Sequence, residues 1–413
     1  MDLDALKRDD PEVADLVAAE RRRRSESLDL IASENLCPRA VREATASLLT
    51  DKYAEGYPGR RWYGGCEVVD RVEQLAIERG KALFDCEHIN VQPHSGSQAN
   101  MAVYFAALEP GQTILSMDLT HGGHLTHGQD ANFSGRMYHI VHYGVGPKTG
   151  RIDYDALAEQ AREVRPALIV GGASSYPRAV EVDRLADIAH DVGARLLVDM
   201  AHFAGLVVGG VHPDPVPVAD FVTATTHKTL RGPRGGLILC KADWAHRIDH
   251  MIFPGIQGGP LMHVIAAKAV TFALAGTDAF RAYQQQVVDN CRAMADELMS
   301  LGYRLVSGGT DTHLLLVDLR PQKMAGQEAQ RHLGAAGIVL NKNVIPFDDR
   351  PPANPSGIRI GTPSMTTRGV GEDGARQVAR WINRILASDD PDAEAERLRP
   401  EVAEFCQSYP IPD

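Results

Sequence analysis

The sequence has few of the features that mark secreted, membrane-spanning or nucleic-acid-binding proteins. Only six of its 413 residues are cysteine and no two form a CxxC pair, which argues against a disulfide framework or a zinc site. No apolar run is long enough to cross a membrane, and the acidic N-terminal segment has no secretory-signal pattern. A net charge of -11 provides no basic excess to neutralise nucleic-acid phosphates. We therefore expect a reduced, cytoplasmic protein with neither a nucleic-acid nor a membrane partner.

The length and composition indicate a globular protein with more than one hydrophobic core. Hydrophobic residues make up 44% and charged residues 23% of the sequence, which is the balance of a folded protein. Because 413 residues exceed the size at which single cores stop growing, we predict two domains. Changes in pattern predict an N-terminal arm at 1–69, a large domain at 70–280 and a smaller C-terminal domain at 281–413.

The large domain alternates helical periodicity with short apolar strands. Continuous apolar runs such as "ALIVGG", "RLLVDM", "FVTATT" and "GGLILC" predict a mostly parallel sheet covered by helices on both faces. Residues 4–28 predict one charged helix, and a long helical stretch near residues 263–302 is expected to bridge to the C-terminal domain. There, "HLLLVDL" and "IRIGTP" predict a small antiparallel sheet. The predicted fold class is therefore α/β.

Two residues at predicted strand ends can carry chemistry. Lys228, in "TTHKTLRGPRGG", lies between two apolar strands, at the edge where open α/β sheets bind ligands. A desolvated lysine there has a lowered pKa and can attack a carbonyl group, whereas a surface lysine would have no such role. Asp199, in "RLLVDMAHFAG", could hold a proton on a pyridine nitrogen or simply cap a helix. His202 could lie against the same ring or pack in the core.

A third motif offers a binding site for an anion. In "HSGSQAN", a strand leads through Ser95, Gly96 and Ser97 into a helix whose N–H groups and dipole favour phosphate. An ordinary serine N-cap is the alternative. A phosphate site, a strand-end aspartate and a strand-end lysine on one sheet together describe pyridoxal 5′-phosphate bound to lysine as a Schiff base.

The histidines of "THGGHLTHG" suggest a competing metal site at His121, His124 and His127. The glycines between them break any helix that would hold the three side chains on one face, and no carboxylate cluster is adjacent in sequence. We therefore expect no metal, and interpret a histidine of this motif as stacking on a flat cofactor.

Motifs along nearly the whole chain resemble those of the serine hydroxymethyltransferases. They include "KYAEGYPGRRWYGG", "VQPHSGSQAN", "VDMAHFAGL", "TTHKTLRGPRGG", "QGGPLMH" and "SGIRIGTP", in the same order. The resemblance implies a pyridoxal-phosphate-dependent enzyme with the aspartate aminotransferase-like fold. It also implies an obligate homodimer, or a tetramer of two dimers, with shared active sites. The implied reaction interconverts serine plus tetrahydrofolate with glycine plus 5,10-methylenetetrahydrofolate.

The resemblance assigns roles to residues at matching positions. Lys228 would carry pyridoxal 5′-phosphate, Asp199 would pair with its ring nitrogen, and Arg359 would bind the substrate carboxylate. Glu55 would enter from the neighbouring subunit as an acid or base. The residues implied for catalysis are Lys228, Glu55, Tyr53, Tyr63 and His227. Those implied for cofactor binding are Ser95, Gly96, Ser97, His124, Ser174, Asp199, His202, Thr225, Lys228, Arg234, Gly258 and Gly259. Those implied for substrate binding are Ser33, Tyr63 and Arg359, and for folate binding Glu55, Trp62, Leu119, Leu125 and Asn343.

One departure from the family pattern leaves the second substrate open. Trp62 stands where the family usually has a tyrosine, close to the expected position of the aromatic part of folate. Two alternatives therefore remain. A related enzyme would act on α-methylserine or another β-hydroxy amino acid without folate, and a non-catalytic pyridoxal-phosphate binder would serve regulation or RNA contact. The intact pair of Glu55 and Arg359 argues against the second alternative.

Overall fold

A seven-stranded sheet forms the centre of the larger part of the molecule in the computed structural model, which describes residues 4–412. The strands are β1 (Leu28–Asp29), β2 (Gly56–Tyr57), β3 (Arg60–Arg61), β4 (His88–Asn90), β5 (Thr113–Met117), β6 (His139–Tyr143), β7 (Leu168–Gly171), β8 (Arg195–Asp199), β9 (Phe221–Thr225), β10 (Gly236–Cys240), β11 (Arg304–Leu305), β12 (Leu314–Asp318), β13 (Ile338–Val339), β14 (Asn341–Asn343) and β15 (Gly357–Gly361).

The α-helices lie between these strands and around them. They are α1 (Asp4–Asp9), α2 (Pro11–Ser25), α3 (Arg39–Thr45), α4 (Glu67–Phe84), α5 (Gly96–Ala107), α6 (Phe133–Met137), α7 (Tyr154–Val164), α8 (Val182–Asp191), α9 (Ala204–Val208), α10 (Ala245–His250), α11 (Met262–Ala275), α12 (Asp278–Ser300), α13 (Gly326–Ala335), α14 (Pro363–Thr367), α15 (Glu372–Leu386) and α16 (Pro391–Ser408). No helix in this described part of the chain has the length and apolar character needed to cross a membrane.

The large sheet confirms the predicted mostly parallel architecture. Its strand order is β4-β10-β9-β8-β7-β5-β6, and only β10 runs antiparallel to its neighbours. Every residue of β7, β8 and β9 except Arg195 is buried, as the continuous apolar runs predicted. The sequence analysis did not identify β6, an edge strand whose "HIVHY" sequence is largely polar and partly exposed.

A second sheet of four strands, in the order β11-β12-β15-β14, is antiparallel throughout, as predicted. The N-terminal segment joins this part of the molecule, because β1 pairs in parallel with β13. Leu28 and Leu30 are fully buried in the core around the small sheet. The three-part division at residues 69 and 280 stays a proposal.

Two helical predictions are corrected by the structure. The helix expected over residues 4–28 is interrupted at Asp10, whose side chain accepts a 3.1 Å hydrogen bond from Val13 N and caps α2. The long helical stretch is also two helices, since Thr277 caps the start of α12. Along α12, Val287 and Val288 pack in the core of the large sheet, and Cys291 and Met294 in that of the small one.

Candidate active site

The carboxyl ends of β8 and β9 and the beginning of α5 border a cavity of about 420 Å³. Strand ends in open α/β sheets commonly form such ligand crevices. The small sheet contributes Arg359 of β15, and the N-terminal segment contributes Ser33. The sequence-predicted residues that line the cavity are Ser33, Ser95, Gly96, Ser97, His124, Ser174, Asp199, His202, Thr225, His227, Lys228, Arg234 and Arg359.

Lys228 lies in the connection between β9 and β10, and its side chain is buried. Burial lowers the pKa of Lys228 to about 8; the charge of Asp199 opposes this decrease, and the charges of Arg359 and Arg234 add to it. The lysine backbone is held from outside the connection, because Asn35 Nδ2 donates a 3.0 Å hydrogen bond to Lys228 O. The arrangement gives a buried amine whose neutral form is far more populated near neutral pH than that of an ordinary lysine.

Asp199, the last residue of β8, is an ionised buried carboxylate. Its Oδ2 accepts hydrogen bonds from Asn100 Nδ2 at 2.9 Å and from His127 Nε2 at 3.1 Å, and its Oδ1 accepts one from Ala201 N at 3.0 Å. Burial alone would raise the pKa of Asp199, but the hydrogen bonds and the neighbouring histidines outweigh burial and hold it well below its usual value. The site therefore contains a negative charge suited to a cationic partner.

The tautomer of His127 follows from its two partners. His127 Nδ1 accepts a 3.2 Å hydrogen bond from His124 N, so the ring proton lies on Nε2 and is donated to Asp199. His124 Nδ1 accepts from Thr126 N at 3.2 Å, and burial lowers the pKa of His124 to about 4. Ligand atoms of His124, His127 and Asp199 lie within 4.8 Å of one another. Hydrogen bonding explains this cluster without a metal ion, because the protonated Nε2 cannot act as a ligand.

The beginning of α5 presents free donors to the cavity. Ser95 caps the helix by accepting a 3.2 Å hydrogen bond from Gln98 N, and no group in the described chain accepts from the amides of Gly96 and Ser97. A Cβ at Gly96 would lie 2.8 Å from Thr225 Cγ2, so only glycine lets the helix start this close to β9. The result is an anion site between α5 and the end of β9.

Arg359 reaches the cavity from β15 and connects the two sheets. Its Nη1 donates a 2.7 Å hydrogen bond to Ser174 O, and its Nε donates a 3.1 Å bond to Asn341 Oδ1. Burial lowers the pKa of Arg359 to about 10, which leaves the guanidinium charged at neutral pH. Within residues 4–412, no protein group accepts a hydrogen bond from its Nη2, so this edge can bind a carboxylate.

Histidines on two sides of the cavity are buried in their neutral form. Burial lowers the pKa of His227 to about 3 and that of His202 well below its usual value. His227 Nδ1 is a buried atom for which the described residues offer no hydrogen-bond partner. His202 stacks on His313 with ring centroids 5.5 Å apart. The unpaired nitrogen of His227 is a donor or acceptor position for a ligand.

A second group of predicted residues lies together but does not line this cavity. Tyr53 and Tyr63 are in edge-to-face contact at 5.1 Å, and both are about half exposed. A Cβ at Gly258 would lie 3.1 Å from Glu55 Oε1, and a Cβ at Gly259 would lie 3.2 Å from the Tyr53 ring. The adjacent Trp62 is 76% exposed.

The remaining predicted residues, Leu119, Leu125 and Asn343, are also outside the cavity lining. Leu119 and Leu125 are 41% and 50% exposed on neighbouring helical turns. Asn343 ends β14, where its side chain donates a 2.6 Å hydrogen bond to Val344 O. The structure therefore collects the predicted cofactor residues in one cavity, apart from Gly258 and Gly259, and leaves the predicted folate residues outside it, with Trp62, Leu119 and Leu125 exposed and Glu55 and Asn343 half-buried.

Three residues that the sequence analysis did not assign to the site support it directly. Asn100 and His127 donate to Asp199, and Asn35 binds the backbone of Lys228. Asn100 follows Gly96 by one helical turn, and this spacing places both on the cavity side of α5. His127 was considered only as a metal ligand. Asn35 had no local signal, because its partner lies 193 residues away in the chain.

The donor set fits pyridoxal 5′-phosphate. An ionised carboxylate, a lysine of lowered pKa and unpaired amides at a helix N-terminus match a ring nitrogen, an aldehyde and a phosphate. Together with the mostly parallel sheet and the smaller C-terminal sheet, they define the class of pyridoxal-phosphate-dependent enzymes of the aspartate aminotransferase-like fold. Within this class, the family model described as serine hydroxymethyltransferase matches residues 6–382. The chain belongs to the serine hydroxymethyltransferase family, whose members are transferases that convert serine and tetrahydrofolate to glycine and methylenetetrahydrofolate.

Proposed function

We propose that the cavity around Lys228 is the cofactor site through which this chain acts as a serine hydroxymethyltransferase. The single observation that carries the proposal is the convergence of Lys228, Asp199 and the beginning of α5 on one cavity. Lys228 would hold the cofactor covalently, Gly96 and Ser97 would bind its phosphate, and His124 would stack on the ring. Ser95, Ser174, His202, Thr225, His227 and Arg234 would complete the cofactor site.

When bound, pyridoxal 5′-phosphate supplies a conjugated ring that accepts the electron pair released at the substrate α-carbon. Asp199 would keep a proton on the ring nitrogen, since its own pKa is held far below neutral pH. His127 and Asn100 would fix the direction of that carboxylate through their two hydrogen bonds. The protein thus supplies charge and orientation to the reacting atoms.

Arg359 would bind the carboxylate of serine or glycine through its unpaired Nη2 edge. The guanidinium is already oriented by Asn341 and the Ser174 carbonyl, so little side-chain freedom is lost on binding. Ser33, at the opposite end of the chain, lines the same cavity and would assist. This arrangement aligns the substrate before the chemical step.

We further propose that two copies of the chain complete each site. Tyr53, Glu55, Tyr63, Gly258 and Gly259 lie together on one chain but outside its own Lys228 cavity. In a homodimer they would reach the other subunit's cavity, where the partner subunit's Glu55 would move the proton of the serine hydroxyl. Residues implied to bind folate are Glu55, Trp62, Leu119, Leu125 and Asn343. A dimer of dimers would use the same pairwise contact.

A cytoplasmic location is proposed on the state of the cysteines. All six are free thiols, and five of them are buried, whereas Cys37 is half-buried. Burial raises the pKa of several of these thiols, including Cys291 to about 12, so they are unreactive in a reducing compartment.

The activity is tested by measuring glycine formation from serine with and without tetrahydrofolate. We expect formation to depend on folate; equal rates without it would contradict the proposal and favour folate-independent cleavage. The shared site is tested by co-expressing Lys228→Ala and Glu55→Gln chains under two affinity tags. Each variant alone should be inactive, whereas the mixture should regain about a quarter of the wild-type activity through one intact site per heterodimer. An inactive, doubly tagged heterodimer would refute shared sites.

A further inference from the structure

Lys268 is a buried cation beneath the loop that leads into α5. It lies on α11 and its side chain is only 1% exposed. Its Nζ donates hydrogen bonds to three carbonyl oxygens, at 2.6 Å to Val91 O, 3.1 Å to Pro93 O and 2.8 Å to Gly236 O. No carboxylate in the described chain lies within ion-pair distance of it. Its direct hydrogen-bond partners are therefore backbone carbonyls.

Three acceptors require three N–H groups, which only the ammonium form of lysine provides. A neutral amine has two, so one of the three hydrogen bonds would be lost. Burial lowers the pKa of Lys268 to about 7, and the carboxylate of Glu73 opposes this decrease. Placing a cation here costs solvation free energy that an apolar side chain of similar length would not. The position of the three carbonyls explains what the cation contributes.

All three carbonyls belong to segments next to the start of α5, although none of their residues lines the cavity itself. Val91 and Pro93 lie in the segment between β4 and Ser95, and Gly236 is the first residue of β10. The two segments also contact each other, since Gly236 N donates a 3.0 Å hydrogen bond to Pro93 O. A Cβ at Gly236 would lie 2.3 Å from Ser95 O. Lys268 thus joins the loop that starts α5 to the strand that follows the Lys228 connection.

The positive charge of Lys268 also acts on His94, in the loop that leads into α5. His94, one residue before the helix cap, has its pKa lowered by burial and further by the positive charge of Lys268. A cation hydrogen-bonded to the loop that leads into α5 adds to the positive end of the helix dipole. The added positive charge favours an anion in front of the amides of Gly96 and Ser97.

We propose that Lys268 is a positioning residue for the phosphate site, fixing the start of α5 and increasing its affinity for phosphorylated ligands. The proposal rests on the proposed function, in which the amides of Gly96 and Ser97 bind the cofactor phosphate. It makes a prediction that a general packing role does not. Loss of the charge should weaken binding of pyridoxal 5′-phosphate much more than binding of pyridoxal, which has the same ring and aldehyde without the phosphate.

The test compares the two ligands on the full-length protein after removal of bound cofactor. Lys268→Met removes the charge and all three donors, and Lys268→Gln keeps two donors without charge. Lys241→Met is the matched control, because Lys241 also binds two carbonyl oxygens but lies outside the cavity. For Lys268→Met we expect the dissociation constant of pyridoxal 5′-phosphate to rise at least about tenfold and that of pyridoxal less than about threefold. Lys268→Gln should also weaken pyridoxal 5′-phosphate more than pyridoxal, but by a smaller factor. Lys241→Met should leave both dissociation constants unchanged.

The proposal would be overturned if a folded Lys268 variant bound both ligands equally more weakly, or bound both as wild-type protein does. In the first case Lys268 would only support the fold. A wild-type protein that binds pyridoxal as tightly as pyridoxal 5′-phosphate would instead overturn the phosphate site itself, and the inference with it. Inorganic phosphate gives an independent readout: it should compete with pyridoxal 5′-phosphate on wild-type protein and about tenfold less effectively on Lys268→Met.

Discussion

Replacement of Arg359 tests the substrate site most sharply, because its guanidinium is already oriented by two hydrogen bonds. A substrate carboxylate bound at Nη2 would form up to two charge-assisted hydrogen bonds, each contributing about 1.5–3 kcal/mol. Arg359→Ala removes both, about 3–6 kcal/mol, and should raise the dissociation constant of serine about 10²- to 10⁴-fold. Arg359→Lys keeps the charge but loses the fork, and an increase of about 10- to 100-fold is expected.

The assay is calorimetric or spectroscopic titration of the cofactor-loaded protein with serine and with serinamide, which lacks the carboxylate. Wild-type protein should prefer serine, and Arg359→Ala should bind the two almost equally. Asn341→Ala is a useful intermediate variant, since it leaves the guanidinium in place and removes the 3.1 Å hydrogen bond that orients Nε, together with a local 2.7 Å bond from Asn341 Nδ2 to Lys342 O. We expect it to weaken serine binding about threefold to tenfold.

Two results would refute this reasoning. If Arg359→Ala lost pyridoxal 5′-phosphate while binding serine normally, Arg359 would belong to the cofactor site. If the preference for serine over serinamide survived in Arg359→Ala, another cation would bind the carboxylate. Thermal unfolding of each variant is the control, because it detects any loss of stability that follows from breaking the hydrogen bond between Arg359 and the Ser174 carbonyl.

Three further predictions concern the cofactor site. Lys228→Ala should abolish the visible absorbance of covalently attached cofactor and multiple turnover, and an unchanged spectrum and rate would exclude Lys228 as the attachment point. Asp199→Asn leaves at least one buried donor unmatched, so the cofactor-free protein should lose about 1–3 kcal/mol of stability in urea unfolding while turnover falls at least tenfold; normal turnover would argue against the ring-nitrogen role. Burial lowers the pKa of Lys228 from 10.5 to about 8. Between about pH 8 and pH 10.5 the folded protein therefore binds fewer protons than the unfolded chain, so the contribution of Lys228 makes stability rise with pH in this range. The rate of cofactor attachment should accordingly rise with a midpoint near pH 8, whereas a midpoint near 10.5 would contradict a desolvated lysine.

Local sequence patterns were sufficient for the centre of the fold but not for its edges. Strands β7, β8 and β9 are buried on both faces, so their apolar runs are unmistakable. Edge strand β6 has one neighbour and needs no such run. The break between α1 and α2 at Asp10 rests on a single helix cap. The segments on both sides are charged and helical in composition, so the sequence pattern does not reveal the cap.

The candidate site divides in the same way. Lys228, Asp199 and Ser95 could be predicted because each occupies a strand end or helix start, which local sequence reveals. Asn35 could not, because its role consists of contacts with Lys228, Tyr283 and Thr367, all distant in the chain. The polar contacts that orient reactive groups are made between elements, and one sequence read locally does not contain them.

The pairing of β1 with β13 has a consequence for biosynthesis. A ribosome makes Leu28 and Leu30 about 300 residues before Gly337 and Val339, whose carbonyl oxygens accept hydrogen bonds from the amides of these leucines. The large sheet is complete in the nascent chain well before that point, because its last strand is β10. The two leucines must therefore remain outside their final core while most of the protein is translated. Strand β1 is thus made early but reaches its native place only after β13 has been made.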